Sequence, residues 1–250
     1  MSCLLHIKRL PQPQAQLLCF HHAGGSASFY FNWKNKVKKN VSLMAIQLPG
    51  RDNRISEPFL LSFDVVLDEI IEAIRPYLSV PIIFFGHSLG AYISFEVARK
   101  LQQDNMTLPR HLVLSGARPP QFSHIDSNLH SLSDHLSDKE FIEELKVLGG
   151  FSEAVLQDQK ILNAYIPRLR ADWKLFLNYK FNASTPRLRS PLTILNGLED
   201  TEIKYEQVTD WEQCTVKLFS THFFPGNHFF INSCQEEILT IINQCILYNF

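Results

Sequence analysis

The sequence lacks the features that mark several large protein classes. Its 250 residues carry 24 lysines and arginines against 25 aspartates and glutamates, a formal net charge of −1. A general nucleic-acid binder needs a basic footprint, and no excess of positive charge is present to make one. Five cysteines, at positions 3, 19, 214, 234 and 245, are odd in number, widely spaced and without a CxxC pair. That pattern predicts reduced thiols, with no disulfide framework and no metal site. Cys19 and Cys214 lie in apolar runs and read as small buried hydrophobes. No eighteen apolar residues run together, so no membrane span is expected, and the first ten residues hold no apolar stretch of signal-peptide length. The expected location is the cytoplasm. There is no internal repeat and no low-complexity tract.

What is present is a globular composition, 45% hydrophobic and 20% charged, expected to fold as a single domain over residues 1–250. Short apolar runs at Gln16–Phe20, Val41–Leu48, Pro81–Phe85, His111–Gly116, Pro191–Asn196 and Cys214–Ser220 read as buried strands. Amphipathic stretches separate them. Phe63, Val66, Leu67, Ile70, Ile74 and Tyr77 share one helical face, with Ser62 as a candidate N-cap, and Ile238, Leu239, Ile242 and Ile246 close the chain at helical spacing. Strand and helix in alternation predict an α/β fold, a mostly parallel sheet with helices on both faces. From about 131 to 181 the rhythm breaks into helix signals alone. Ser137 with Glu140 forms a capping box, Gly149-Gly150 ends that helix, Ser152 starts another, and Pro167 is expected to interrupt it before a third runs to about Lys180. A helical insertion between two strands is a candidate lid over a site at the strand ends.

Gly86-His87-Ser88-Leu89-Gly90 follows the run Pro81–Phe85 and precedes a helical pattern. G-x-S-x-G in that context is the nucleophile elbow of the α/β-hydrolase fold: a strained turn, flanked by glycines, that lifts a serine above the sheet. Ser88 is the candidate nucleophile, and the amide of Leu89 faces an oxyanion formed beside it. A serine hydroxyl needs a base and an orienting acid. On this fold the chain order is Ser, then Asp or Glu, then His. Asp200, with Glu199 as its rival, follows the run Pro191–Asn196. His228 sits in a late Pro-Gly-Asn turn before the closing helix, while His222 reads as a surface or strand-end residue. His21-His22-Ala23-Gly24-Gly25 follows the first of these strands, where a glycine-rich loop supplies the second oxyanion amide. Ala23 is the candidate donor and His22 its neighbour. Phe229 and Phe230, beside His228, are candidate pocket residues together with His22.

CFHHAGGSASFY, IQLPGRDNRISEP, FFGHSLGAYISFEVARKL, ILNGLEDTEI and FFPGNHFF, in that order, resemble the type II thioesterases that accompany nonribosomal peptide and polyketide synthetases. The A-G-G loop at Ala23–Gly25, the L-P-G-R run at Leu48–Arg51 and Leu169-Arg170-Ala171-Asp172 extend the likeness beyond a generic hydrolase. The resemblance implies an α/β-hydrolase fold with a helical lid and a triad of Ser88, Asp200 and His228. It also implies substrates carried as thioesters on the phosphopantetheine arm of an acyl- or peptidyl-carrier protein, with no cofactor. A general carboxylesterase or lipase, an acyltransferase and a non-catalytic carrier-binding scaffold are the competing readings. Between 160 and 189, Lys160, Arg168, Arg170, Lys174, Lys180, Arg187 and Arg189 outweigh Asp172 alone, while the preceding stretch is acidic. These segments either pair with each other or present a basic face to an acidic carrier domain.

Overall fold

In Leu17-Leu18-Cys19-Phe20 successive side chains go to opposite faces of a sheet, and all four are buried. A strand covered on both faces must be apolar at every position, which is why these runs show no alternation. The computed structural model describes residues 2–122, 136–146, 159–203 and 205–248. Strands β1 (Leu4–Lys8), β2 (Ala15–Phe20), β3 (Val41–Ile46), β4 (Ile82–His87), β5 (His111–Ser115), β6 (Leu192–Gly197) and β7 (Phe219–Phe224) form one sheet. Their order is β1-β3-β2-β4-β5-β6-β7; β1 is antiparallel to β3 and every other pair is parallel.

Helices α1 (Phe63–Ile74) and α2 (Leu89–Gln103) cover one face, burying Ile70, Ile74, Phe95 and Ala98 with Leu18, Phe20, Ile82 and Phe84. The turn Ala27–Trp33 and the last helix cover the other, where Tyr30, Trp33, Ile238 and Ile242 meet Leu17, Cys19, Ile83 and Phe85. Helices α3 (Asp138–Lys146) and α4 (Gln159–Leu177) build a separate small core from Phe141, Ile142, Leu162, Ile166, Leu169 and Trp173. A one-turn helix α5 (Tyr205–Val208) and the C-terminal helix α6 (Gln235–Tyr248) complete the chain. All five cysteines are buried thiols and none is in a disulfide.

The expected α/β architecture is present, with four local differences. The short edge strand β1 was not expected. The last strand lies at Phe219–Phe224, because Thr209–Cys214 turns as a 3-10 helix and Val216 and Leu218 are exposed. Ser62 precedes α1 in an extended conformation but gives no side-chain cap. Pro167 lies inside a continuous α4 rather than between two helices. It sits on the exposed side, while Leu162, Ile166, Leu169 and Trp173 pack along the other side across the turn it disturbs. Packing of an apolar face outweighs local propensity there. The capping box forms as expected: the Ser137 amide donates to Glu140 Oε2 at 2.8 Å and the Glu140 amide to Ser137 Oγ at 3.4 Å. Residues 131–135, Gly149-Gly150 and Ser152 lie outside the described residues.

From β2 the chain passes to β3 on one side, and β4 lies on the other. The order of strands reverses between β2 and β4, whose ends pair in register with Phe20 opposite Gly86. The crevice beyond such a reversal is where open parallel sheets bind their ligands.

Candidate active site

Ser88 joins β4 to α2 with φ 54° and ψ −118°, a left-handed conformation that costs a side-chain-bearing residue on the order of 1–3 kcal/mol. The turn holds because its flanks have no side chains. A Cβ on Gly86 would stand 2.2 Å from the Gly90 carbonyl oxygen. The Ser88 amide donates to the Ser115 carbonyl at 2.8 Å, fixing the turn to β5. Ser88 is half-buried and opens into a cavity also lined by Ala23, Leu89 and His228. The rest of that cavity wall is largely apolar: Tyr92, Ala117 and Ile203 come from the sheet side, Trp173 and Phe176 from α4.

His228 and Asp200 are brought together by two neighbouring strand-end loops. Gly197, at the end of β6, would place a Cβ 2.5 Å from both the Gly226 and Asn227 carbonyl oxygens, so only glycine lets the histidine loop lie there. The Glu199 amide then donates to the Gly226 carbonyl at 3.0 Å. In this arrangement His228 Nδ1 donates to Asp200 Oδ2 at 2.8 Å, and the Asp200 side chain is 0% exposed. Asp200 Oδ1 accepts the Glu202 amide at 2.9 Å, leaving the carboxylate held at both oxygens. Glu199 points to solvent as an exposed residue and makes no such contact with His228 among the described residues. His222 is a half-buried residue of β7, paired in register with Leu195.

The loop after β2 is fastened amide by amide. Gly25 donates to the His22 carbonyl at 2.9 Å and Gly24 donates to Asp172 Oδ2 at 2.7 Å. Ala23 is the loop residue that reaches the cavity. His22 packs edge-on against Phe29, Phe229 and His87 and does not line the cavity. Burial, and secondarily the neighbouring His228, lower its pKa to about 4; His21 is lowered to about 3 by burial and then by Arg51. His87 is fully buried, joined to Ser115 Oγ at 2.9 Å, and held neutral by burial.

Phe230 lies in the core and not in the wall of this cavity. It is 1% exposed and stacks on Phe224, ring centres 5.3 Å apart, in the core shared with α6. Phe229 packs on His22, His87 and His228 behind the cavity rather than in its wall. The aromatic wall instead comes from Tyr92, Trp173 and Phe176, of which the α4 pair lay in a segment whose spacing reads only as amphipathic helix. Nothing in the spacing of Arg51 and Asp172 relates the one to the other. The structure joins them in a buried bidentate pair, Nη1 to Oδ2 and Nη2 to Oδ1, both at 2.7 Å.

A family model described as a thioesterase domain matches residues 15–246. Gramicidin S biosynthesis protein GrsT of Aneurinibacillus migulanus is 36% identical over 224 residues, covering 90% of this chain and 86% of that protein. Linear gramicidin dehydrogenase LgrE of Brevibacillus parabrevis is 35% identical over 246 residues, 97% of this chain and 92% of that protein. Among solved structures, the type II thioesterase BorB from the borrelidin biosynthetic cluster superimposes with a TM-score of 0.87 at 29% identity, over 98% of each chain. A match that runs from β2 into the last helix, on a sheet with this elbow and this loop, means that the chain belongs to the thioesterase family, as an α/β-hydrolase-fold enzyme acting on thioesters.

Proposed function

We propose that this enzyme hydrolyses acyl or aminoacyl thioesters from the phosphopantetheine arm of carrier proteins, clearing stalled groups in nonribosomal peptide or polyketide biosynthesis. Ser88, His228 and Asp200 act as its triad. The observation that carries the reading is the 2.8 Å bond from His228 to the buried Asp200, on a histidine that shares one cavity with the strained Ser88.

His228 takes the Ser88 hydroxyl proton as Oγ attacks the thioester carbonyl. The amides of Leu89 and Ala23 receive the oxyanion. Asp200 keeps the imidazole in the tautomer that presents Nε2 to the serine and stabilises its cation. The C–S bond then breaks and His228 returns the proton to the leaving thiolate. A thiol of pKa roughly 8.5 leaves with less assistance than an alcohol. Water, deprotonated by His228, attacks the acyl-serine and releases the carboxylic acid and the hydroxyl.

The carrier-linked substrate is supported by the likeness to the borrelidin-cluster type II thioesterase and to a gramicidin S biosynthesis protein. The chain lacks the sequence signature that the dehydrogenase name of one relative would call for. None of the ten glycines forms the G-x-G-x-x-G turn that seats a dinucleotide pyrophosphate. Comparing kcat/KM on an acyl-carrier protein, a short acyl thioester and the matching oxygen ester tests the assignment. Preference for the carrier-bound thioester is expected; equal turnover of the oxygen ester would point to a general esterase.

A further inference from the structure

Asp172 sits on α4, beside the cavity residue Trp173, yet its carboxylate turns away from the cavity into the loop after β2. It is 3% exposed and makes three bonds: two from Arg51 and one from the Gly24 amide, all at 2.7 Å. Burial pushes its pKa up, but the Arg51 charge and these hydrogen bonds outweigh burial and hold it below the usual carboxylate range. Arg51, 1% exposed, also donates from Nη1 to the Gly25 carbonyl at 2.9 Å. Two successive residues of the loop are thus held, one through its amide and one through its carbonyl. The contact is tight on its other side as well. A Cβ on Gly24 would stand 2.4 Å from Tyr165 Oη and 2.9 Å from Leu169 Cδ1, both on α4.

A surface ion pair contributes little, and a buried one is retained at a desolvation cost. Here the pair spans 121 positions of sequence and ends on the peptide next to Ala23. We propose that Asp172 and Arg51 are positioning residues for the oxyanion hole, so that the hole is complete only while α4 is seated on the loop. This rests on the reading of Ser88 as nucleophile. It follows that α4 cannot lift from the cavity without releasing the Gly24 amide. Substrate is admitted by movement elsewhere, or by an opened state in which the chemistry is switched off.

The test uses the full-length enzyme with a short acyl thioester, measured well below each variant's melting temperature. Losing one oxyanion donor costs about 10²–10³-fold in kcat. Asp172→Ala is therefore expected to lower kcat about 10²-fold with KM within about threefold, acylation and deacylation slowing together. Asp172→Asn keeps an acceptor for the Gly24 amide and is expected to recover about tenfold of that loss. The double change Arg51→Ala with Asp172→Ala leaves no lone buried charge, and it gives the same readout if the single variant does not fold. A normal kcat in the folded variants, or a raised KM with kcat unchanged, would overturn the proposal and make α4 a binding wall only. Ser88→Ala is run beside them: turnover that survives it refutes the nucleophile reading instead.

Discussion

Gly90 lies so close to the end of β2 that a methyl on its Cα would stand 2.2 Å from the Phe20 carbonyl oxygen. Phe20 is the last residue of β2, where the loop carrying Ala23 begins, and Gly90 lies in the first turn of α2, two residues after Ser88. One backbone contact therefore sets the distance between the elbow and the loop. Both atoms belong to rigid backbone, so neither gives way cheaply. Gly90→Ala is expected to lower the melting temperature by several degrees and kcat by about 10²-fold, since a shift near 1 Å at a reacting centre costs about that much. Thermal melts and steady-state kinetics check this; an unchanged kcat would mean that the loop tolerates the displacement.

Burial as well as chain order favours Asp200 over Glu199 as the acid of the proposed triad. Asp200 is enclosed and bonded to His228, whereas Glu199, one residue earlier, faces solvent. Asp200→Asn is expected to lower kcat about 10⁴-fold, because the amide favours the wrong imidazole tautomer. Glu199→Gln should stay within about threefold. Greater damage from Glu199→Gln than from Asp200→Asn would reverse the assignment.

Buried neutral histidines make stability fall on acidification. His22 and His111 are lowered by burial from 6.5 to about 4. Between those values the unfolded chain binds protons that the folded chain refuses, so stability is complete above 6.5 and is lost as the pH drops toward 4. A depression of 6.5 to about 4 corresponds to on the order of 3 kcal/mol per histidine. His111 bonds to Thr193 Oγ1 at 2.8 Å, away from the site. Melting temperatures from pH 7.5 to 4.5 are expected to fall less steeply for His111→Gln than for the parent; parallel curves would contradict the account.

Several side chains of the basic stretch are held within the fold, and two of its lysines are exposed to solvent. Arg170 donates to Asp138 at 2.9 and 3.0 Å and lies over the Phe141 ring, joining α4 to α3. Arg168 lies over Tyr165, and Arg187 donates to the Glu212 carbonyl at 2.8 Å. Lys174 and Lys180 are exposed. Lys174→Glu with Lys180→Glu is therefore expected to lower kcat/KM on an acyl-carrier protein about tenfold at low salt and less at high salt. A short acyl thioester should be affected less than about twofold. Equal losses on both substrates would remove the docking role.

The parts legible in the sequence were those where one local rule suffices. β2, β4 and β5 are buried on both faces and read as continuous apolar runs, and the elbow is a five-residue pattern between one of them and a helix. The edges were harder. β1 is half-buried, and β7 alternates weakly while Val216 and Leu218 before it are apolar yet 57% and 81% exposed. Phe229 and Phe230 adjoin His228 in sequence, but adjacency does not say which side of a turn faces the cavity. The Arg51–Asp172 pair could not be read from spacing at all, because its meaning lies in a third partner, the Gly24 amide.

In the proposed mechanism Ser88 carries the acyl group between the carrier thiol and water. Intact-protein and peptide mass spectrometry on the enzyme, quenched within milliseconds of mixing with an acyl-carrier protein, measures it directly. An added acyl mass is expected on the peptide containing Ser88, absent from Ser88→Ala and discharged as free carboxylic acid. An adduct on another residue, or hydrolysis that persists at the parent rate in a folded Ser88→Ala protein, would contradict it.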